Sequence, residues 1–174
     1  SVAAEVITVT QPVAGTTEVN STAGEVTTFP NPNNSLIIDT GGGADTISVE
    51  GVTLSLPGGL LITDPDAIVD DTVAFQTTPS SLTLGSLDVQ AATIDVVADL
   101  SVADGILFGP AGADGINLDS TITTAGGIQF QKPVDLIGNT VIASSGAGGF
   151  VQFDDTVDGT QNLTINDTSD AGIF

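Results

Sequence analysis

A short triplet, apolar–any–apolar, recurs along most of the chain, with Gly, Pro, Asn, Asp and Thr between copies. Examples are Ile47-Ser-Val49, Val73-Ala-Phe75, Leu87-Asp-Val89, Ile94-Asp-Val96, Ile116-Asn-Leu118, Ile128-Gln-Phe130 and Leu163-Thr-Ile165. Alternation with a period of two gives a brief strand with one buried face. No segment keeps apolar residues at i, i+3, i+4 and i+7 over helical length, so helix is not expected.

The triplets also repeat at long range. The steps from Phe108 to Phe130, from Phe130 to Phe153 and from Val134 to Val157 agree to within one residue. They set a period of roughly 22–23 residues, the size of one solenoid repeat. Asp45 and Asp114 lie three such periods apart. A unit this small cannot bury its own apolar face, whereas stacked units close a shared core. The expected fold is therefore all-β: a right-handed parallel β-helix, or β-solenoid, of about seven or eight turns. An antiparallel β-sandwich is the alternative, since its strands are spaced similarly. Recurrence of the triplets in register favours the solenoid.

Residues 1–34 are less regular. Val6–Val9 and Glu25–Phe29 read as extended, joined by a loop and followed by the turn Phe29-Pro-Asn-Pro-Asn-Asn34. Pro fixes φ and removes a donor there. This segment is expected to be a cap or docking strand, and residues 35–174 the β-helix. One period after Val151 falls on Phe174, so Ala171-Gly-Ile-Phe174 opens another turn. The solenoid is accordingly expected to continue in a longer chain or to stack on a second molecule.

Composition narrows function. The 174 residues carry 22 acidic side chains and one base, Lys132, for a net charge of −21, with no Arg, His, Cys, Met, Trp or Tyr. Without His or Cys there is no imidazole base, no thiolate nucleophile and no nitrogen or sulfur metal ligand. A chain this acidic, lacking a basic patch, is not expected to bind nucleic acid or anionic membranes. No apolar run approaches the ~20 residues of a membrane span. A hydrophobic content of 40% sets it apart from a disordered acidic tail. Lys132 itself reads as a surface lysine paired with one of many acids.

Oxygen ligands for a hard cation remain available. The calcium-binding nonapeptide G-G-x-G-x-D-x-U-x makes a tight turn whose carbonyls and Asp can hold Ca²⁺. Thr40-Gly-Gly-Gly-Ala-Asp-Thr-Ile-Ser48 fits except at its first Gly, making Gly43 and Asp45 candidate ligands. Gly109-Pro-Ala-Gly-Ala-Asp-Gly-Ile-Asn117 fits except at its second, adding Gly112 and Asp114. The densest acidic group is Asp64-Pro-Asp66 followed by Asp70 and Asp71, a further candidate Ca²⁺ site. The plain alternative for each is a Gly or Asp turn exposed to solvent. Asp88, Asp95 and Asp135, central in their triplets, are expected to point outward and solubilise the surface.

Gly126-Gly-Ile-Gln-Phe130, Pro133-Val-Asp-Leu136, Gly149-Phe-Val-Gln-Phe153, Val157-Asp-Gly159 and Asn162-Leu-Thr-Ile165 resemble the repetitive β-helical surface proteins of the filamentous-haemagglutinin type, over roughly residues 80–174. Ser35-Leu-Ile-Ile-Asp39 and the Gly-rich turn after it, within residues 19–62, are similar to repeats of giant calcium-associated exported proteins. The resemblance implies an exported adhesin, sheath or filament component at the cell surface, with no catalytic residue. The functional expectation is thus an extracellular structural protein that self-associates or belongs to a longer chain. The alternative is a calcium-dependent binding module. A polysaccharide-active enzyme is a distant third, since paired carboxylates would act without sugar-stacking Trp or Tyr.

Overall fold

The computed structural model describes residues 3–50, 54–64, 71–76, 81–109 and 114–168, with the side chain of residue 81 not described. Among these the chain forms 21 strands and no helix. Three strands come first: β1 (Val6–Thr10), β2 (Thr16–Ser21) and β3 (Thr27–Pro30). Six turns of three strands each follow. The first comprises β4 (Leu36–Asp39), β5 (Thr46–Val49) and β6 (Ser55–Leu56); the second, β7 (Leu60–Thr63), β8 (Thr72–Phe75) and β9 (Ser81–Leu84). The third holds β10 (Leu87–Gln90), β11 (Thr93–Val96) and β12 (Asp99–Val102); the fourth, β13 (Ile106–Gly109), β14 (Ile116–Leu118) and β15 (Thr121–Thr124). The last two hold β16 (Ile128–Phe130), β17 (Val134–Leu136) and β18 (Thr140–Ser144), then β19 (Val151–Phe153), β20 (Val157–Gly159) and β21 (Leu163–Asp167).

Equivalent strands pair in parallel, making a β-solenoid with three faces. Sheet I runs β4-β7-β10-β13-β16-β19, and sheet III runs β6-β9-β12-β15-β18-β21. Sheet II runs β5-β8-β11-β14-β17-β20 and is extended beyond β5 by β1, β2 and β3. The strands ahead of β4 therefore do not wind into solenoid turns, and six turns form where seven or eight were expected. β1 adds to β5 in parallel, and β2 and β3 continue the sheet antiparallel. Thr16–Ser21 falls in what reads from sequence as a loop. Its Thr and Val side chains suit a strand, and the free edge of β1 supplies its backbone partners.

Most triplets turn their apolar residues inward and their middle residue out; Ala74 is buried as well, and Leu163 and Ile165 in the last turn are only partly buried. Ile47, Val73, Ile94, Ile116 and Val134 form one buried ladder in sheet II, and Leu82, Leu100, Ile122 and Ile142 another in sheet III. Sheet I carries an aromatic stack. The Phe108 and Phe130 rings are 5.6 Å apart, and Phe130 lies 4.8 Å from Phe153 with planes within 5° of parallel. Such contacts add to the burial of the rings themselves.

Turn length is not constant. Leu36, Leu60, Leu87, Ile106, Ile128 and Val151 occupy equivalent places on successive turns but are unevenly spaced along the chain. The step from Leu60 to Leu87 is the longest, and the next, from Leu87 to Ile106, is the shortest. Extra residues go into corners, while the strands keep their register. At the corner before sheet I, a Cβ on Gly126 would collide with the Asp104 carbonyl of the previous turn. Only Gly lets the two backbones approach this closely.

Candidate functional site

The corner between sheets I and II gathers the polar groups that the core excludes. Continuing the sheet II register back one residue from Thr46 aligns Glu5, Asp45, Asp71, Ala92, Asp114, Lys132 and Asp155 along the solenoid axis, with Gly115, Pro133 and Thr156 one position later in the last three turns. Continuing sheet I one residue forward stacks Thr40 on Asp64. The corner is long in the first two turns. It is pinched to Ala91-Ala92 in the third, where only this dipeptide separates β10 from β11.

Asp45 and Asp71 are each 1% exposed, Asp64 5%. The main-chain amide of Asp45 donates to Asp71 Oδ1 at 2.7 Å, and that of Glu5 donates to Asp45 Oδ1, also at 2.7 Å. The acids thus form a ladder, each holding the backbone of the preceding strand in the sheet. Their other oxygens, Asp45 Oδ2 and Asp71 Oδ2, are buried and accept no hydrogen bond. Burial pushes the Asp71 carboxyl above the usual carboxylate range. The Asp45 amide and the nearby Thr40 hydroxyl oppose that rise, and the charges of Asp64 and Asp45 add to it. Thr40 donates through both its amide and its hydroxyl to the Thr63 carbonyl, each at 3.2 Å.

Lys132 is buried, 4% exposed, and not the surface side chain its composition suggests. Its Nζ donates to the Ala92 carbonyl at 2.8 Å, two turns away along the solenoid. Burial lowers the Lys132 pKa, and the charges of Asp114 and Asp64 work against that shift.

The candidate residues therefore separate. Asp45, from the Gly-rich turn, and Asp64 and Asp71, from the acidic cluster, share one corner. Gly43 lies in the turn leading to Asp45, at φ +129°. Asp114 is exposed and accepts from the Thr93 hydroxyl at 3.4 Å, three turns along the solenoid from Asp45. Asp66, Asp70 and Gly112 lie outside the described residues. Among the described residues no group of three or more acidic side chains is arranged to close around one ion. Thr40, Glu5 and Lys132 belong to this corner and were not singled out as site residues from sequence. The repeat register is the signal that finds them.

A second polar feature lies on sheet I. Asp88 faces outward between Leu61 and Leu107 of the neighbouring turns, yet is half-buried, with Oδ1 lacking a hydrogen-bond partner. Burial raises its pKa, and the Gln90 side chain opposes this. It borders an open groove of about 450 Å³ lined also by Ser86, Gly105, Leu107, Gly127 and Phe150. Asp95, by contrast, accepts from Asn117 Nδ2 at 2.7 Å, and Asp135 is exposed. Of these three outward acids only Asp135 is plainly a solubilising group, since Asp95 bonds to the next turn and Asp88 is half-buried.

Fold and site together define an acidic parallel β-solenoid with a carboxylate-lined corner. Comparison with protein-family models, curated proteins and solved structures finds no match.

Proposed function

We propose that the chain is a structural segment of an exported surface protein, a β-solenoid rod serving as part of an adhesin, sheath or filament outside the cell. The observation that carries this reading is the unbroken register of all three sheets over six turns around one apolar core. Such stacking gives a rod whose stiffness comes from continuous backbone pairing and whose length scales with the number of turns. The role is mechanical and not catalytic, in keeping with side chains that include no His, Cys or Arg.

The natural partners are more strands of the same kind. Among the described strands β19, β20 and β21 each have a neighbour on one side only, and Phe153, Leu163 and Ile165 beside them are only partly buried. Another turn, from a longer chain or a second molecule, would pair with these three edges at once. Outward Asp keeps the rod hydrated, and a net charge of −21 keeps separate rods apart.

Immunogold electron microscopy of intact source cells tests the reading. Label on the outer surface, along fibres or a layer, is the expected result. Label confined to the cell interior would overturn it.

A further inference from the structure

We propose that Asp45 and Asp71, stacked on consecutive turns at the sheet I–sheet II corner, form a binding site for a hard divalent cation, for which Ca²⁺ has the best-matching chemistry. This goes beyond the structural role and stands or falls separately from it. The argument rests first on geometry. Both side chains are almost completely buried, both commit Oδ1 to a main-chain amide, and both leave Oδ2 buried without a donor. A buried carboxylate oxygen with no donor costs stability unless a proton or a cation meets it.

Charge balance points the same way. Asp64, buried on the other side of the corner, lies near enough for its charge to act on Asp71, so three acids share one corner. The single base of the chain, Lys132, is engaged with Ala92, and the acids whose charges act on it are Asp114 and Asp64. With no Arg or His in the sequence, and the Lys132 charge acting on Asp114 and Asp64, an external cation is the counter-charge that suits Asp45 and Asp71. The free acceptors are all oxygens, which suits Ca²⁺ or Mg²⁺ and not a nitrogen- or sulfur-seeking metal.

The available oxygens favour Ca²⁺ over Mg²⁺. Asp45 Oδ2 and the Thr40 hydroxyl come from the two ends of the first-turn corner and Asp71 Oδ2 from the corner of the second, with water completing the shell. Ca²⁺ accepts such irregular sets, whereas Mg²⁺ demands a near-regular octahedron. Asp64 enters the proposal through its charge, since no converging acidic triplet occurs among the described residues. Two carboxylates place affinity in the weak extracellular range, with Kd of roughly 10⁻⁴–10⁻³ M.

The experiment is calcium titration of the intact chain at fixed ionic strength, followed by Tm and by ¹³C NMR of the side-chain carboxyls. Expected are a saturable rise in Tm with Ca²⁺, larger than with equal Mg²⁺, and saturating shifts at the Asp45 and Asp71 carboxyls. Asp45→Asn and Asp71→Asn should each weaken the calcium response at least tenfold, while Asp158→Asn at an exposed position leaves it intact. If either corner variant fails to fold, the carboxyl shifts of the unsubstituted protein decide. A response that does not saturate, that Mg²⁺ reproduces, or that leaves both carboxyls unshifted would overturn the proposal.

Discussion

Lys132 Nζ donates to the carbonyl oxygen of Ala92 at 2.8 Å, across two turns of the solenoid. One long side chain thereby ties the fifth turn to the third. It also places the only positive side chain of the molecule inside a corner lined by acids.

Lys132→Ala should be among the most damaging single substitutions. It removes a buried donor from the Ala92 carbonyl, opens a cavity, and takes a positive charge away from Asp64 and Asp114. A loss of about 3–5 kcal/mol is expected, measured by urea denaturation. Lys132→Met, which keeps the volume, should recover part of that loss. Equal stability of both variants with the natural protein would show that the contact contributes nothing.

Acidity should stabilise the apo protein. Asp71 and Asp88 have folded pKa values above their ordinary 3.8. The folded state therefore binds protons more readily than the unfolded state at pH values above 3.8, and stability falls as pH rises through the raised values. Self-repulsion of the 22 acids acts in the same direction but is screened by salt. Melting curves from about pH 4 to 8 at high salt should still slope downward, and Asp71→Asn and Asp88→Asn should each flatten the slope. An upward slope would contradict the burial of these groups.

Lys132 gives the opposite sign at the alkaline end. Its folded pKa lies below 10.5, so stability should rise as pH increases from the folded value toward 10.5. Lys132→Met removes this rise, and melting curves across the same alkaline range check it.

Phe130 is fully buried between Phe108 and Phe153 in the sheet I stack. Phe130→Ala should cost about 3–5 kcal/mol, while Phe130→Leu should cost less, because much of the cavity stays filled. Chemical denaturation of the two variants gives the comparison.

Gly126→Ala tests the tight corner. The added methyl would overlap the Asp104 carbonyl, so the turn must move. A loss of about 1–3 kcal/mol is expected from such overpacking, again read by denaturation. Gly148→Ala is a useful contrast. No atom lies within 4 Å of a Cβ there, so its cost comes only from the φ of +80°.

Much of the fold is legible in the residues. The middle-residue-out alternation of Ile94-Asp-Val96 or Val134-Asp-Leu136 requires only a strand with one dry face, and the Phe repeat reveals the stacking period. Asp45 and Asp114 indeed lie at the same corner, three turns apart. Asp45 and Asp71 were harder to unite. They are further apart in sequence than one regular period, because the corner between β7 and β8 is long, so a fixed period places them out of step. The burial of Asp88 escapes a period-two reading for another reason. It depends on Leu61 and Leu107, the neighbours above and below, and not on its own triplet.

By itself the sequence determined the strand type, the inward and outward faces, the absence of imidazole and thiol chemistry, and the need for repeats to stack. These follow from side-chain character within a few residues. Only the tertiary structure decided which residues pair between turns, how β1–β3 extend sheet II, and that Lys132 is buried beside Ala92. Those outcomes depend on contacts between distant parts of the chain and on corner lengths that shift one turn relative to the next. Local alternation carries no record of that shift.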